Sequence, residues 1–247
     1  MAFVVLGIVA FIALVVAIVV LGAKAAQKRR DDLAAFAQRH GFQAFVARDS
    51  GWLRAGFELL DMFQDFTPFG TGERPRAFNA VVGGTAEKTF YFFDYEYVTT
   101  STTTDGDGNT STSTTTHSFG VAAVRVPLAF RQLEIRHEGL FDKIGGALGF
   151  KDIQFEMDEF NRRFHVKSPD QKFAYDVVHP GMIEFLMRAP ARFWQLGETF
   201  LLIHKQGAYP VEEFDGVMQD MESFFGLIPE YVRQDIGFQP NWSTPFE

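Results

Sequence analysis

The N-terminal segment restricts this chain more than any other feature. From Ala2 to Ala23 run twenty-two consecutive residues without a charge, most of them Val, Ile, Leu, Phe or Ala. As an α-helix rising ~1.5 Å per residue, the segment spans ~33 Å, which is enough for the ~30 Å hydrocarbon core of a bilayer. The sequence therefore predicts a transmembrane anchor at residues 1–23, with residues 2–23 in contact with lipid.

A cleaved signal peptide is the alternative for this segment. Signal peptides carry basic residues before an apolar stretch of about 7–15 residues. Here the basic residues follow the stretch, which is also longer: they are Lys24, Lys28, Arg29 and Arg30. Both the order and the length favour an anchor that stays in the protein.

The same basic cluster predicts the orientation of the anchor. Basic residues flanking a transmembrane helix stay on the cytoplasmic side. We therefore expect a single-pass protein of the cell membrane, with its N-terminus outside and its large domain in the cytoplasm. Residues 24–41 are predicted as a juxtamembrane helix, because Leu33, Phe36 and Ala37 recur at helical spacing and Gly41 is a typical helix stop.

The rest of the chain, residues 42–247, predicts a soluble α+β domain. Its mainly antiparallel β-sheet has flanking helices and ends with a C-terminal amphipathic helix. The 29 phenylalanines indicate a Phe-packed core, since each buried ring removes a large apolar area from water. One compact domain fits the pattern, and so do two packed halves with a boundary near 127–150.

Local patterns predict the elements of this domain. Alternation along Thr89–Thr100 predicts a strand with one buried face. Other predicted strands are Gly41–Asp49, Phe78–Val82, Leu133–Arg136, and Phe119–Val126 ended by Pro127. Two hairpins are predicted: Ile153–Phe155 with Phe160–Lys167, and Arg192–Leu196 with Thr199–His204. Helical spacing predicts helices at Trp52–Phe66, Gly139–Leu148, Gly181–Arg188, Pro210–Phe225, and from Gln171 with Ser168 or Asp170 as its cap.

A Ser/Thr-rich stretch, Thr99–Ser118, separates two of the predicted strands. At its centre Asp105-Gly106-Asp107-Gly108-Asn109 is a cluster of turn-forming residues. We expect a long β-hairpin with this cluster at its tip. A calcium loop is the alternative, but Thr110 replaces the required glycine and Thr116 the bidentate glutamate.

Composition and missing motifs exclude several kinds of chemistry. The chain has no cysteine, and its net charge of −8 opposes binding to nucleic acid. No nucleophile elbow, phosphate loop or dinucleotide fingerprint is present. The six histidines are scattered, and we expect the carboxylates of Asp152, Glu156, Asp158 and Glu159 to form a solvated edge. The sequence therefore predicts no catalytic, cofactor-binding or metal residue and no cofactor.

Several local patterns together resemble a known group of proteins. They are FYFFDYEYVTT, the Thr-rich run ending in His117, VRVP, DEFNRRFHVKSPDQKFAYDVVHP and IPEYV. Over most of residues 30–232 the chain resembles a group of membrane-anchored actinobacterial proteins of uncharacterised function. The resemblance implies a membrane location and an actinobacterial source. It brings no activity, so no functional residue follows from it.

Three hypotheses for the function remain. The first is a membrane-tethered, non-catalytic interaction protein, an accessory subunit of a membrane complex, with a membrane protein as its partner and its oligomeric state left open. The second is a lipid or small-ligand binding module, which requires an apolar cavity. The third is an unrecognised hydrolase, which predicts that His165, His179 or His204 clusters with Asp158 or Glu159.

Overall fold

The computed structural model describes residues 2–46, 51–85, 87–139 and 151–237. It begins with one uninterrupted helix, α1, over Ala2–His40. Within the described ranges, α1 is the one helix long and apolar enough to cross a membrane. Side chains at positions 10–28 are exposed, whereas Leu33, Phe36 and Ala37 are buried. The segment predicted as an anchor and the segment that packs on the domain therefore form a single helix.

The remaining elements build an α+β domain, as predicted. In chain order they are β1 (Gln43–Phe45), α2 (Trp52–Met62), β2 (Glu73–Gly84), β3 (Thr89–Thr104), β4 (Thr110–His137), α3 (Asp158–Arg163), β5 (Phe164–Lys167), α4 (Gln171–Val177), α5 (Pro180–Arg188), β6 (Phe193–Gln206), α6 (Phe214–Leu227) and α7 (Glu230–Asp235). A 3-10 turn, Val211–Glu213, leads into α6.

The six strands form one antiparallel sheet. Its order is β1-β2-β3-β4-β5, and β6 also pairs with β4. Residues 120–125 of β4 lie between β3 and β6, and residues 134–136 lie between β6 and β5. The sheet is therefore organised around β4, which continues through residues 127–137 without a break.

Apolar clusters cover both faces of the sheet. The larger contains the C-terminal part of α1 together with α4 to α7, and the smaller contains α2 and the loop that follows it. The prediction that Thr89–Thr100 has one buried face was wrong, because residues 89–95 are buried on both faces. Asp94 lies on the face of β3 that the sequence pattern predicts to be polar and exposed, but α1 covers that face.

Pro127 does not end its strand, which is a second correction. β4 runs on to His137, and the register of its pairing with β6 shifts between Arg125 and Leu133. Pro127 lies in this irregular stretch. Because proline lacks a backbone N–H, it is tolerated in a strand where the regular ladder is interrupted.

Neither short hairpin predicted for the second half exists. Residues 193–206 form one strand, β6, in which Glu198 adopts a φ of 48° and the chain bends without turning back. Its register shifts opposite the irregular part of β4, so the two strands bend together. Residues 158–163 form α3, and β5 pairs with β4 from Glu134↔Lys167 to His137↔Phe164.

Several other predicted elements are confirmed. Asp170, and not Ser168, caps α4, and its side chain accepts a hydrogen bond of 2.9 Å from the N–H of Phe173. α5 starts at Pro180, and α6 buries Phe214, Val217, Met221 and Phe224. The predicted helix Gly139–Leu148 lies almost entirely outside the described residues.

Candidate interaction surface

A charged clamp fastens α1 to the sheet. Arg29 donates from Nη2 and Nε to the two carboxylate oxygens of Asp94, at 2.5 and 2.8 Å. Its Nη1 donates to the carbonyl of Tyr209 at 2.9 Å, and Asn79 donates to Asp94 at 2.8 Å. Asp94 is 6% exposed, so this bidentate pair is largely withdrawn from water. The clamp lies six residues after Ala23, or ~9 Å along the helix.

The contacts of α1 define its direction across the sheet. Phe36 packs edge-on against Phe92, with ring centroids 6.1 Å apart. Arg29 comes seven residues earlier in the helix, yet it pairs with Asp94, two residues later in β3. α1 and β3 therefore run in opposite directions, so the apolar N-terminal end of α1 lies toward the hairpin end of β3. We call this end of the sheet, marked by Asp94 and its β4 partner Gly120, the anchor end.

The Thr-rich hairpin extends from the anchor end. Strands β3 and β4 stay paired in an unbroken register from Thr89↔Arg125 to Thr104↔Thr110. Between Asp94 and Thr104 the strand covers ~33 Å at ~3.3 Å per residue. Residues 99–116 are exposed, whereas the sheet below them is buried. The long hairpin predicted at 99–118 is therefore confirmed.

The outer edges of the hairpin lack neighbouring strands in the described part of the chain. Pairing with β2 reaches only to Val98, and pairing with β6 reaches Gly120, followed by a bridge at Phe119. Beyond these points the ribbon presents outward-facing backbone groups and a dense row of hydroxyls. An exposed strand edge of this kind is a template for pairing with another chain. At the base, His117 stacks on Tyr97 and lies 2.9 Å from the hydroxyl of Thr99.

The tip of the hairpin is a hydrogen-bonded turn. Asp105 Oδ1 accepts hydrogen bonds from the N–H groups of Asp107 and Asn109, at 3.1 and 2.8 Å. The bond from the Asn109 N–H lowers the pKa of the Asp105 carboxyl below its usual value. Among the described residues, no group of three or more His, Asp or Glu side chains is placed to hold a metal.

A second surface feature lies at the edge of the sheet near the anchor end. Residues 52–60 of α2 and residues 75–78 of β2 line an open apolar groove of about 350 Å³. Gly56 allows the close approach, since a Cβ there would lie 2.5 Å from the carbonyl oxygen of Ala77. The groove is open to one side.

The strand that borders this groove is protected against pairing. β1 covers β2 only at residues 80–82, so the part of β2 beside the groove is an edge. That part contains Pro75, which cannot donate, and Arg74, whose φ of 53° interrupts the extended backbone. Arg76 is held by Glu96 and lies over the ring of Phe78. A strand is therefore poorly suited to bind here, and the groove offers side chains instead.

Three histidines at the surface are used in local structure. His40 lies 3.0 Å from Asp215 and against the ring of Phe36. His137 lies 2.7 Å from the carbonyl oxygen of Glu138. These contacts, like that of His117 with Thr99, involve neighbouring elements and bring no two histidines together.

The three histidines named in the hydrolase hypothesis lie apart from one another. His165 is 2.8 Å from Asp152, and His179 caps α5 while its Nε2 lies 2.9 Å from the carbonyl oxygen of Leu227. His204 lies in the core beside Gln195. Asp158 and Glu159 are in the first turn of α3, and Glu159 pairs with Arg163 at 3.8 Å. The structure therefore gives each histidine a partner other than the two predicted carboxylates.

Burial keeps His204 neutral, which makes the stability of the domain depend on pH. Removal from water lowers the pKa of His204 from 6.5 to about 3. The unfolded chain binds a proton below pH 6.5 while the folded chain does not, so unfolding becomes easier as the pH falls from 6.5 toward 3. Burial also raises the pKa of the Tyr95 phenol to about 12.

We expect His204→Gln to remove part of this pH dependence. In the parent chain, one proton contributes a slope of about 1.4 kcal/mol per pH unit to the free energy of unfolding below pH 6.5. Denaturant titrations between pH 5 and 7 measure this slope. Equal slopes in the His204→Gln variant and the parent would contradict the assignment.

Two components of this surface are not predicted from the sequence. The sequence places Arg29 in the basic cluster that orients the anchor, whereas the structure uses Arg29 to neutralise Asp94. A signal existed, since Asp94 lies within a strand that contains six aromatic residues. The sequence predicts Trp52–Phe66 only as a helix, although Leu53 and Phe57 remain exposed on the outer face of α2.

Comparison with known proteins shows one shared fold. No protein-family model matches this chain, and no curated protein matches it either. A solved structure, described as the crystal structure of the mycobacterial trehalose monomycolate transport factor A (TtfA), matches with a TM-score of 0.55 and 14% sequence identity. The match covers 81% of this chain and 96% of that chain. At this identity, the likeness shows the fold alone.

Proposed function

We propose that the chain is a membrane-tethered, non-catalytic interaction protein that acts as an accessory subunit of a membrane complex. In this proposal residues 1–23 cross the cell membrane once and residues 24–41 leave it as a juxtamembrane helix. Residues 42–247 form a cytoplasmic domain, and the N-terminus lies outside. The basic residues that follow the apolar segment support this orientation.

The position of the hairpin carries the proposal. The Arg29–Asp94 clamp attaches the domain to α1. The open-edged hairpin extends from the anchor end of the sheet. A partner in the same membrane therefore meets the ribbon at high effective concentration, so a modest contact surface suffices. Because Asp105 and Asp107 at the tip oppose entry into hydrocarbon, the ribbon in this proposal turns along the membrane surface, where it meets a polar partner surface.

We infer that the partner is a membrane protein that contributes an extended segment to an edge of the hairpin. Backbone hydrogen bonds supply affinity in such strand addition, and the alternating Thr side chains supply specificity. The process we propose is transport across or within the membrane. The similar solved protein supports this, because it is described as a trehalose monomycolate transport factor.

Replacing residues 99–115 by Asn-Gly tests the proposal. This change joins Val98 to Thr116, which already face each other, through a two-residue turn. We expect a partner that co-purifies stoichiometrically with the full-length chain from its native membrane to be reduced about 10-fold or more. Mass spectrometry of material purified in mild detergent gives the partner's identity and amount.

Two controls distinguish lost docking from lost folding. The melting temperature of the shortened chain is expected to stay within about 2 °C of the parent, because the deleted side chains are exposed. A variant with Asp105→Asn and Asp107→Asn keeps both edges and is expected to retain the partner. Unchanged capture by the shortened chain would show that the hairpin is not the docking element.

A further inference from the structure

Helix α2 is apolar on two faces, although only one packs on the sheet. Its inner face buries Ala55, Gly56 and Leu59. On its outer face Leu53 is 55% exposed and Phe57, one turn later, is 70% exposed. Because a helix at the surface of a soluble domain normally presents polar residues outward, this outer face indicates a covering partner. We call Trp52, Leu53 and Phe57 the α2 ridge.

The α2 ridge lies at the level where the anchor leaves the bilayer. The groove beneath it is bordered by Arg76, whose register partner Glu96 is two residues beyond Asp94 toward the hairpin. Asp94 is the residue that holds Arg29, and Arg29 is ~9 Å of helix from Ala23. The headgroup layer on each side of the ~30 Å hydrocarbon core is ~5–8 Å thick. Side chains that project from α2 therefore lie within reach of that layer.

We propose that the α2 ridge rests in the headgroup layer of the bilayer that α1 crosses, so that lipid covers the groove. The proposal rests on the membrane crossing proposed for α1, and it adds a second contact with lipid that is independent of the hairpin. Trp, Leu and Phe are suited to this depth, since an interfacial element buries its apolar face by ~5–10 Å. The indole of Trp52 suits the interface because one end is apolar and the other polar.

Charges around the α2 ridge indicate which lipids it contacts. Arg54 pairs with Glu58 at 2.6 Å, and Arg76 pairs with Glu96, so the positive charges of these two arginines are matched locally. The contact is therefore apolar and does not depend on anionic headgroups. Two attachments, α1 and the α2 ridge, also restrict rotation of the domain about the axis of α1.

Site-directed spin labelling of the full-length chain tests this contact. The chain has no cysteine, so single cysteines placed by Leu53→Cys, Phe57→Cys, Tyr231→Cys and Val16→Cys each label one position. Each variant is reconstituted into phosphatidylcholine vesicles, and its accessibility to oxygen is compared with that to a water-soluble nickel chelate. Tyr231 is the matched control, because it is 55% exposed on α7, where the neighbouring Asp235 pairs with Arg131 away from the anchor end.

We expect the oxygen-to-nickel ratio at positions 53 and 57 to be about 5-fold higher than at position 231, as for groups at interfacial depth. The label at position 16 is expected to show the high oxygen and low nickel accessibility of the hydrocarbon core. Adding phosphatidylglycerol is expected to leave the ratios unchanged, and a contact that appears only with this anionic lipid would overturn the apolar mechanism.

Other outcomes separate the possible failures. If positions 53 and 57 resemble position 231 while position 16 reports hydrocarbon, the α2 ridge faces water and only this inference fails. If position 16 is open to nickel, α1 does not cross, and the proposed tether fails with it. If both reagents are excluded at 53 and 57 and the spins broaden each other, a second copy covers the groove, and the lipid contact is overturned.

Discussion

Phe63→Ala is expected to lower the free energy of unfolding by about 3–5 kcal/mol, the range for a large buried aromatic side chain. Phe63 is fully buried where the chain leaves α2. Its ring centroid lies 4.9 Å from that of Phe200, 5.5 Å from Phe93 and 6.0 Å from Tyr91. Truncation therefore leaves a cavity among these rings at the centre of the smaller core.

The matched control for this prediction comes from the same segment. Phe57→Ala removes the same side chain from a position that is 70% exposed, so the expected change is within about 0.5 kcal/mol. Denaturant unfolding of the detergent-solubilised chain, followed by circular dichroism of the sheet, measures both. Comparable losses in the two variants would contradict the assignment of the inner and outer faces of α2.

Arg29→Ala is expected to lower the free energy of unfolding by about 3 kcal/mol. The substitution leaves the Asp94 carboxylate, 6% exposed, with Asn79 as its remaining side-chain donor. A buried charge that loses its partner carries the full desolvation penalty, which is larger than the net stabilisation of the intact pair. The same substitution weakens the attachment of α1 to the domain, because Nη1 of Arg29 also holds the carbonyl of Tyr209.

Two comparisons isolate the charge effect of Arg29. Lys28→Ala breaks an exposed pair with Asp32, and we expect a loss within about 0.5 kcal/mol. Combining Arg29→Met with Asp94→Leu removes both charges and is expected to recover much of the stability, since no uncompensated carboxylate remains. If the double variant were less stable than Arg29→Ala, burial of the lone carboxylate would not be the cause of the loss.

Local sequence patterns predict that the hairpin forms, but they do not predict where it lies. Thr residues favour extended backbone, and the Asp/Gly/Asn cluster favours a tight turn, so 99–118 is predictable as a hairpin. Its position beside the anchor is not predictable in this way, because that depends on the direction in which α1 crosses β3. Two contacts distant in sequence, Phe36–Phe92 and Arg29–Asp94, determine that direction.

The predictions that strands end at Gly197-Glu198 and at Pro127 were wrong for a related reason. Gly197-Glu198 has the composition of a turn, yet β6 continues through it because both of its halves pair with β4. Pro127 has the composition of a strand end, yet β4 continues because its ladder is irregular there. In both places long-range pairing outweighs the local preference, as happens when strand propensity competes with tertiary context.

By itself, the sequence determined that this protein has one long apolar helix, an α+β domain with an aromatic core, and a polar hairpin. These properties follow from the length of an uncharged run, from periodicity and from turn chemistry, all of which act between residues close in the chain. The tertiary structure alone decided that α1 covers the second face of the sheet and that Arg29 neutralises Asp94. It also decided that the hairpin and the α2 ridge lie at the anchor end. Burial, charge pairing and proximity arise between residues far apart in the chain, so they are defined only once the helices and the sheet have packed.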